Sequence, residues 1–291
     1  MSPRRPEMTI SIRRLNGALG AEVGGVDLAR PLDAATADAI RAAFVGHAVL
    51  VFRGQDLDPA AQVAFTRLLG TPERHVLQQF ALPEAPDVFV ISNVKEKGQP
   101  KGAIRAGQYW HSDLSYTARP TSASLLHAIR IPSYGGDTMF AGMAAAFDAL
   151  SPTMQGMLDG LRAVHDYTLA YETFFSRFAD RPPLTAEQKA AVPPVEHPLV
   201  RTHPESGRRA LFVNPGFTRR IVGLAPEESR ALLDFLFAHA TRPDLVYRHV
   251  WRAGDLVMWD NRSTMHLAVA DYDMDEPRHM HRTSVQGDVP R

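Results

Sequence analysis

The run Trp110-His111-Ser112-Asp113 and the segment Asp260-Asn261-Arg262-Ser263-Thr264-Met265-His266 put three metal-ligating side chains in two stretches far apart in the chain. Side chains alternate faces along a strand, so His111 and Asp113, two apart, would point the same way and could share one metal. His266 would supply a third ligand. Arg278 and Arg282, four apart, would likewise share a face of a strand, and each could clamp a carboxylate or sulfonate.

There is no cysteine, which excludes disulfides, thiolate metal sites and cysteine nucleophiles. Metal binding must rest on histidine and carboxylate. Two imidazoles and one carboxylate leave part of the coordination sphere open, as in non-haem iron(II) oxygenases. Lysine plus arginine equal aspartate plus glutamate at 32 each, so no overall field favours nucleic acid or an anionic membrane. No apolar run approaches the roughly 20 residues needed to span a bilayer, and the N-terminal residues lack the apolar core of a signal peptide. The expectation is a cytoplasmic globular protein whose partners are small molecules or copies of itself. With 291 residues, 45% of them hydrophobic, one domain is the simplest organisation.

Asp58-Pro59 pairs a capping acid with proline at the first helical position, predicting a helix over 59–69 that stops at Gly70. Residues 34–45 read likewise, Ser151-Pro152 opens another helix, and Pro226 begins one with Leu232, Leu233, Leu236 and Phe237 at helical spacing. Short apolar runs over 48–52, 88–91, 124–129, 210–213, 256–259 and 279–285 read as strands. Residues 1–7 read as a disordered tail. Residues 92–107, rich in glycine and lysine, and 167–198, broken by Pro182-Pro183 and Pro193-Pro194, read as loops, either surface segments or lids over a site.

These residues carry a resemblance. Gly20-Ala21-Glu22-Val23, Val51-Phe52-Arg53-Gly54-Gln55, Gly135-Gly136-Asp137-Thr138, Arg201-Thr202-His203-Pro204, Phe212-Val213-Asn214 and Trp259-Asp260-Asn261-Arg262 resemble the iron(II)- and 2-oxoglutarate-dependent dioxygenases of the taurine and 2,4-dichlorophenoxyacetate dioxygenase group. The likeness spans nearly all of residues 8–288. It implies a mainly β fold with flanking helices around a double-stranded β-helix (jelly-roll, cupin-like) core. It also implies Fe(II) on His111, Asp113 and His266, and 2-oxoglutarate held at its distal carboxylate by Arg278 and Thr138. Dioxygen would be consumed, succinate and carbon dioxide released, and a small acidic substrate hydroxylated, with the protein a homodimer or homotetramer.

By the same resemblance Arg282 meets the substrate's acidic group, His75 contacts it, and Leu114, Tyr116 and Phe217 line its pocket. Asp113 stands where related halogenases carry a small residue, which favours oxygenation. Two positions depart from the taurine enzymes: Gly107 replaces an asparagine and Gln78 a tyrosine. Both point away from an amine-bearing substrate and toward sulfonates, sulfate esters or aryloxyalkanoates.

Rival readings exist for several residues. His203-Pro204-Glu205 is another His-x-acid pattern, but its proline and the following Ser206-Gly207 predict a turn. His279 and His281 fall on the face opposite Arg278 and Arg282, and with His127 read as structural. Other classes remain as alternatives: a non-catalytic metal- and anion-binding β-helix protein, or a zinc hydrolase, the latter leaving Arg278 and Thr138 unexplained.

Overall fold

The computed structural model describes residues 9–75, 78–178 and 184–291; the expected tail over 1–7 lies outside them. The strands Val49–Phe52 and Leu256–Asp260 are buried at every position, as apolar runs covered on both faces should be. They pair antiparallel with Val51 opposite Val257. Both belong to an eight-stranded sheet ordered Ser11–Arg14, Ala21–Gly24, Val49–Phe52, Leu256–Asp260, Ala123–Arg130, His279–Val285, Ala85–Ser92, Ala81–Leu82.

Strand alternation sorts the side chains of this sheet into two layers. Leu50, Phe52, Leu125, Leu256 and Met258 pack on Ile40, Phe44 and Phe65, which belong to the helices Ala34–His47 and Pro59–Thr66. Val49, Val51, Leu126, Val257, Trp259 and Met280 form the other layer with Phe140. Phe140 comes from a three-stranded sheet ordered Val246–His249, Thr138–Gly142, Thr264–Ala268. The architecture is therefore mainly β, with helices packed against the large sheet and against a second core that includes Leu233 and Leu236 of the helix Pro226–Ala240.

The caps read from sequence do their expected work. Asp58 accepts from the Ala61 amide at 2.7 Å, and Ser151 from Met154 at 3.2 Å. The second helix ends at Thr66, three residues short of the expectation, because the chain turns over 67–69 before Gly70, whose φ is 152°.

Both expected loops carry more structure than their composition suggests. Residues 92–107 contain a small hairpin, Lys95–Glu96 with Gln99–Pro100, and Ala103 bridges Ile91. Residues 167–198 contain the helices Thr168–Thr173 and Ala186–Ala191 and the strand Val195–Pro198; residues 179–183 lie outside the described ones. Helices of six residues are too short to show a period, although the Thr185/Gln188 capping box was a readable signal. Among the described residues, no helix is long and apolar enough to cross a membrane.

Candidate active site

A buried turn that carries the chain from the eight-stranded to the three-stranded sheet delivers His266. In the turn between Leu256–Asp260 and Thr264–Ala268, Asp260 accepts from the Arg262 amide at 2.9 Å and from Arg262 Nη2 at 2.7 Å. His203 Nε2 lies 2.9 Å from the same carboxylate, so His203 serves this turn and is not a ligand. Burial works to raise the Asp260 carboxyl, but Arg262 and His203 outweigh it and hold it below its ordinary range. Beyond the turn, His266 exchanges backbone hydrogen bonds with His111, 3.0 and 2.8 Å long.

The structure brings His111, Asp113 and His266 together by a route that differs from the expected one. His111 makes an isolated bridge rather than lying in a strand, and Asp113 begins a turn in which Leu114 adopts a left-handed φ of 52°. The turn, not strand alternation, swings the carboxylate back beside the imidazole. His111 Nε2 is 3.6 Å from Asp113 Oδ1, and His266 Nε2 is 4.0 Å from Asp113 Oδ2. One ligand atom from each of the three lies within 4.8 Å of the others, and all three residues are buried.

That donor set fits a divalent ion. Metal–ligand bonds of about 2.1 Å put neighbouring donors roughly 3 to 3.5 Å apart, so the triad needs only a slight contraction. The His111 Nδ1–H donates to the Tyr109 carbonyl at 2.8 Å, which leaves Nε2 as the free lone pair. Burial, then repulsion from His111, keeps His266 well below the usual imidazole pKa, and a neutral imidazole is the form that ligates. Burial pushes the Asp113 carboxyl up, yet Arg282 and the two imidazoles overcome it, and the group sits well below its ordinary value.

A hydrogen-bond chain orients Asp113. Ser124 donates to Oδ2 at 2.6 Å and accepts from Asn261 Nδ2 at 3.1 Å. Asn261 Oδ1 takes both the Asp113 amide and the Trp259 indole N–H, each at 3.1 Å. Neither Ser124 nor Asn261 was picked out as functional from sequence. Nothing in the pattern around Ser124 marks it, whereas Asn261 stands in the motif that leads to His266.

The two arginines line two different cavities. His75, Leu114, Tyr116, Phe217 and Arg282, the five expected substrate contacts, share one of about 100 Å³ with His111 and Asp113. Phe89, Tyr109, Tyr167 and Phe175 complete its aromatic wall and were missed, since lone aromatics carry no positional signal. Arg282 lies over the Phe89 ring at 5.1 Å and reaches Asp113 Oδ1 with Nη1 at 3.2 Å, while its buried Nε has no hydrogen-bond partner. His75 packs against Phe89 with ring centroids 4.1 Å apart and the planes tilted by 38°. Burial, then Arg282, pushes its pKa down to about 3, so it is a neutral donor at ordinary pH.

Arg278 is buried in a narrow cleft with Ser92, Asn93, Gln108, Ala268 and Tyr272. Its Nε donates to the Gly136 carbonyl at 3.2 Å and its amide to Asn93 Oδ1 at 2.7 Å. Thr138 is close in sequence but not among the residues lining that cleft; its cross-strand partner Ala268 is. The Thr138 hydroxyl accepts from the Trp251 indole at 3.0 Å and keeps a proton to donate. Ala103 and Ala106 line both cavities, forming a thin partition of small side chains.

The absence of a side chain at Gly107 opens no space for a substrate. At φ 73° Gly107 abuts the metal site, and a Cβ there would come 2.9 Å from His111 Cε1. Gln78 lies in the 3-10 turn Gln78–Phe80 and donates to the His75 carbonyl. His279 and His281 meet edge to face, and the His127 Nε2–H donates to the Gln55 carbonyl, the structural roles expected for them.

Residues 11–284 match the model of the family described as taurine catabolism dioxygenase TauD, TfdA family. The chain belongs to this TauD/TfdA family. An alpha-ketoglutarate-dependent sulfate ester dioxygenase of Pseudomonas putida is 37% identical over 288 residues, covering 97% of this chain and 91% of that one. The alpha-ketoglutarate-dependent 2,4-dichlorophenoxyacetate dioxygenase of Cupriavidus pinatubonensis is 38% identical over 298 residues, covering 97% and 99%. Among solved structures, that of AAD-2 with Mn(II) and N-oxalylglycine superposes with a TM-score of 0.82 at 35% identity, covering 97% and 99%. The TauD/TfdA chain described here carries a His-Asp-His cluster able to hold a metal.

Proposed function

We propose that this protein is an Fe(II)- and 2-oxoglutarate-dependent dioxygenase that hydroxylates a small acidic organic substrate of the sulfate ester, sulfonate or aryloxyalkanoate type, releasing succinate and carbon dioxide. The observation that carries the reading is the meeting of two cavities, one holding Arg282 and the other Arg278, beside the buried triad His111, Asp113 and His266. A ligand set for metal alone needs no such pair of clamps.

His111, Asp113 and His266 would hold Fe(II), which when bound supplies the redox chemistry that couples dioxygen to decarboxylation of 2-oxoglutarate and oxidation of the substrate. The chain's own residues do the rest. Arg278, a permanent cation in a buried cleft, receives the distal carboxylate, and the Thr138 hydroxyl is offered as a second donor. Arg282 and the neutral His75 receive the substrate's acidic group, while Leu114, Tyr116 and Phe217 bury its organic part and exclude water. Ser124 and Asn261 keep Asp113 turned toward the metal.

The wider reading is a single domain in which the eight-stranded and three-stranded sheets are the two sheets of a double-stranded β-helix. Support comes from the layer that Trp259, Val257 and Phe140 form between them. Assembly as a homodimer or homotetramer and a cytoplasmic location complete the proposal, on the family's habit. Anaerobic addition of 2-oxoglutarate to the Fe(II)-loaded protein tests the centre: a weak visible metal-to-ligand charge-transfer band is expected. A metal-loaded protein without that band, and without substrate-dependent succinate on admitting air, refutes the assignment.

A further inference from the structure

The Arg278 cleft does not end at Arg278. Asn93 and Arg105 line it and also line a surface cleft of about 580 Å³ whose other walls include Lys95, Arg130, Met274 and Asp275. We propose that this outer cleft is an anion-steering inlet through which a dicarboxylate reaches Arg278, separate from the cavity that takes the oxidisable substrate. The proposal rests on the reading that Arg278 holds the co-substrate.

The electrostatics of the cleft are one-sided. Among the described residues that line it, Lys95 and Arg130 stand against a single carboxylate, Asp275, with Arg105 at the inner end. The nearby acids are engaged elsewhere: Glu96 pairs with Lys101 at 3.2 Å, and Glu276 accepts from the Ser133 hydroxyl at 2.7 Å and its amide at 2.5 Å. In a protein whose formal charge balances to zero, a local cationic cleft is not a by-product of overall basicity. Clefts walled by one sign of charge focus the field and raise the capture rate of oppositely charged ligands.

The connection inward is structural. Asn93 donates to the Met274 and Glu276 carbonyls at 2.9 and 2.7 Å while accepting from the Arg278 amide, so one side chain ties the outer wall to the inner clamp. Arg105 stands where the two spaces meet, its guanidinium over the Phe178 ring at 4.6 Å and its backbone in a left-handed φ of 57°. On the other side of the Ala103–Ala106 partition lies the aromatic cavity of Arg282. A doubly charged acid would thus be handed from Arg130 and Lys95 past Arg105 to Arg278, with no need to cross that aromatic cavity. Succinate could leave the same way while the oxidised product is still bound.

The test is stopped-flow binding of 2-oxoglutarate to the anaerobic Fe(II) protein, followed by its charge-transfer band, in the wild type, Lys95→Glu/Arg130→Glu, Arg278→Ala and Arg30→Glu. Arg30 is an exposed cation on a cleft against the N-terminal helices and controls for reversal of a charge outside the inlet. The double reversal should lower the association rate constant severalfold, about 3- to 10-fold at low salt, with little change in dissociation. The deficit should fade as ionic strength rises and the Debye length shrinks, and Arg30→Glu should bind at the wild-type rate. An unchanged association rate in the double variant, alongside a large affinity loss in Arg278→Ala, overturns the inlet and leaves the clamp standing. Unchanged affinity in Arg278→Ala overturns the clamp and the inlet with it.

Discussion

Arg282 Nη1 lies 3.2 Å from Asp113 Oδ1, so the arginine expected to receive the substrate is ion-paired to a metal ligand. The same carboxylate takes Ser124 on its other oxygen. With Arg282 Nε buried and unpartnered, an incoming sulfonate or carboxylate has a donor waiting beside the metal. Arg282→Ala should therefore raise KM for the acidic substrate by about 10- to 100-fold, the loss of one charge-assisted bond of roughly 1.5–3 kcal/mol. Fe(II) affinity should not fall, because removing the cation frees Asp113 for the metal. Calorimetric metal titration beside substrate kinetics checks both halves; weaker metal binding with an unchanged KM would reverse the roles.

Loss of any triad member should abolish substrate-dependent succinate formation while the fold persists, shown by circular dichroism on His111→Ala, Asp113→Asn and His266→Ala. Ser124→Ala is a subtler test. It removes a 2.6 Å bond from Asp113 and should weaken Fe(II) binding by about 10- to 100-fold, as is usual for a residue that orients a ligand. Wild-type affinity in Ser124→Ala would mean that Asn261 and the turn suffice.

Arg278→Ala should act on a different ligand. Its position in a separate cleft predicts an increase of about 10-fold or more in the 2-oxoglutarate requirement, with the substrate KM nearly unchanged. If both arginine variants weakened the same ligand, the two-cavity reading would fail.

How much of this was legible in the sequence depends on the kind of interaction. The capping acid Asp58 and the strand His279–Val285 were readable because their signals are local. The triad was readable as residue types at family spacing, but its mechanics were not. His111 is held by a bridge to a residue far along the chain, and Asp113 by a turn with a left-handed leucine, which sequence periodicity cannot foresee. The aromatic wall built by Tyr109, Tyr167 and Phe175 depends on the tertiary meeting of the segment that leads into His111 with one that composition alone marks as a loop.

Two buried histidines predict the response to acid. His165 Nε2 donates to the Phe212 carbonyl at 3.2 Å, and its Nδ1 faces Ser115 Oγ at 3.2 Å; His197 donates to the Thr117 carbonyl at 2.9 Å. They brace the turn that follows Asp113. Burial above all pushes their pKa values down, to about 3 for His165 and about 4 for His197. The unfolded chain, with imidazoles near 6.5, binds protons that the fold refuses. Their contribution is complete above pH ~6.5 and is lost as pH falls toward the folded values, at up to about 1.4 kcal/mol per pH unit for each histidine. Thermal unfolding between about pH 7.5 and 5 should show Tm falling on acidification, and less steeply in His197→Gln; equal slopes would remove His197 from the account.

Substrate preference follows from what the aromatic cavity lacks. Among the described residues lining it, Asp113 is the sole carboxylate, and Arg282 and the metal site already claim it. Glu73 is near enough to feel Asp113 and Arg282, but it accepts from the Thr121 hydroxyl at 2.6 Å and does not line the cavity. An ammonium group bound there would face Arg282 without a partner, and a buried unpaired charge costs on the order of 1–3 kcal/mol or more. An apolar or aromatic body has the opposite prospect, since Tyr116 and Phe217, with centroids 4.6 Å apart, offer ring faces at about 25 cal/mol per Å² buried. Gly107 gives no extra room, because His111 fills the place of its missing Cβ, so that body must lie along Leu114, Tyr116 and Phe217. Catalytic efficiency should therefore be lowest for taurine and higher for an amine-free alkyl sulfonate, an alkyl sulfate or an aryloxyalkanoate, measured as succinate release under identical Fe(II) and 2-oxoglutarate. Taurine emerging as clearly best would show that a group outside this wall pairs with its amine.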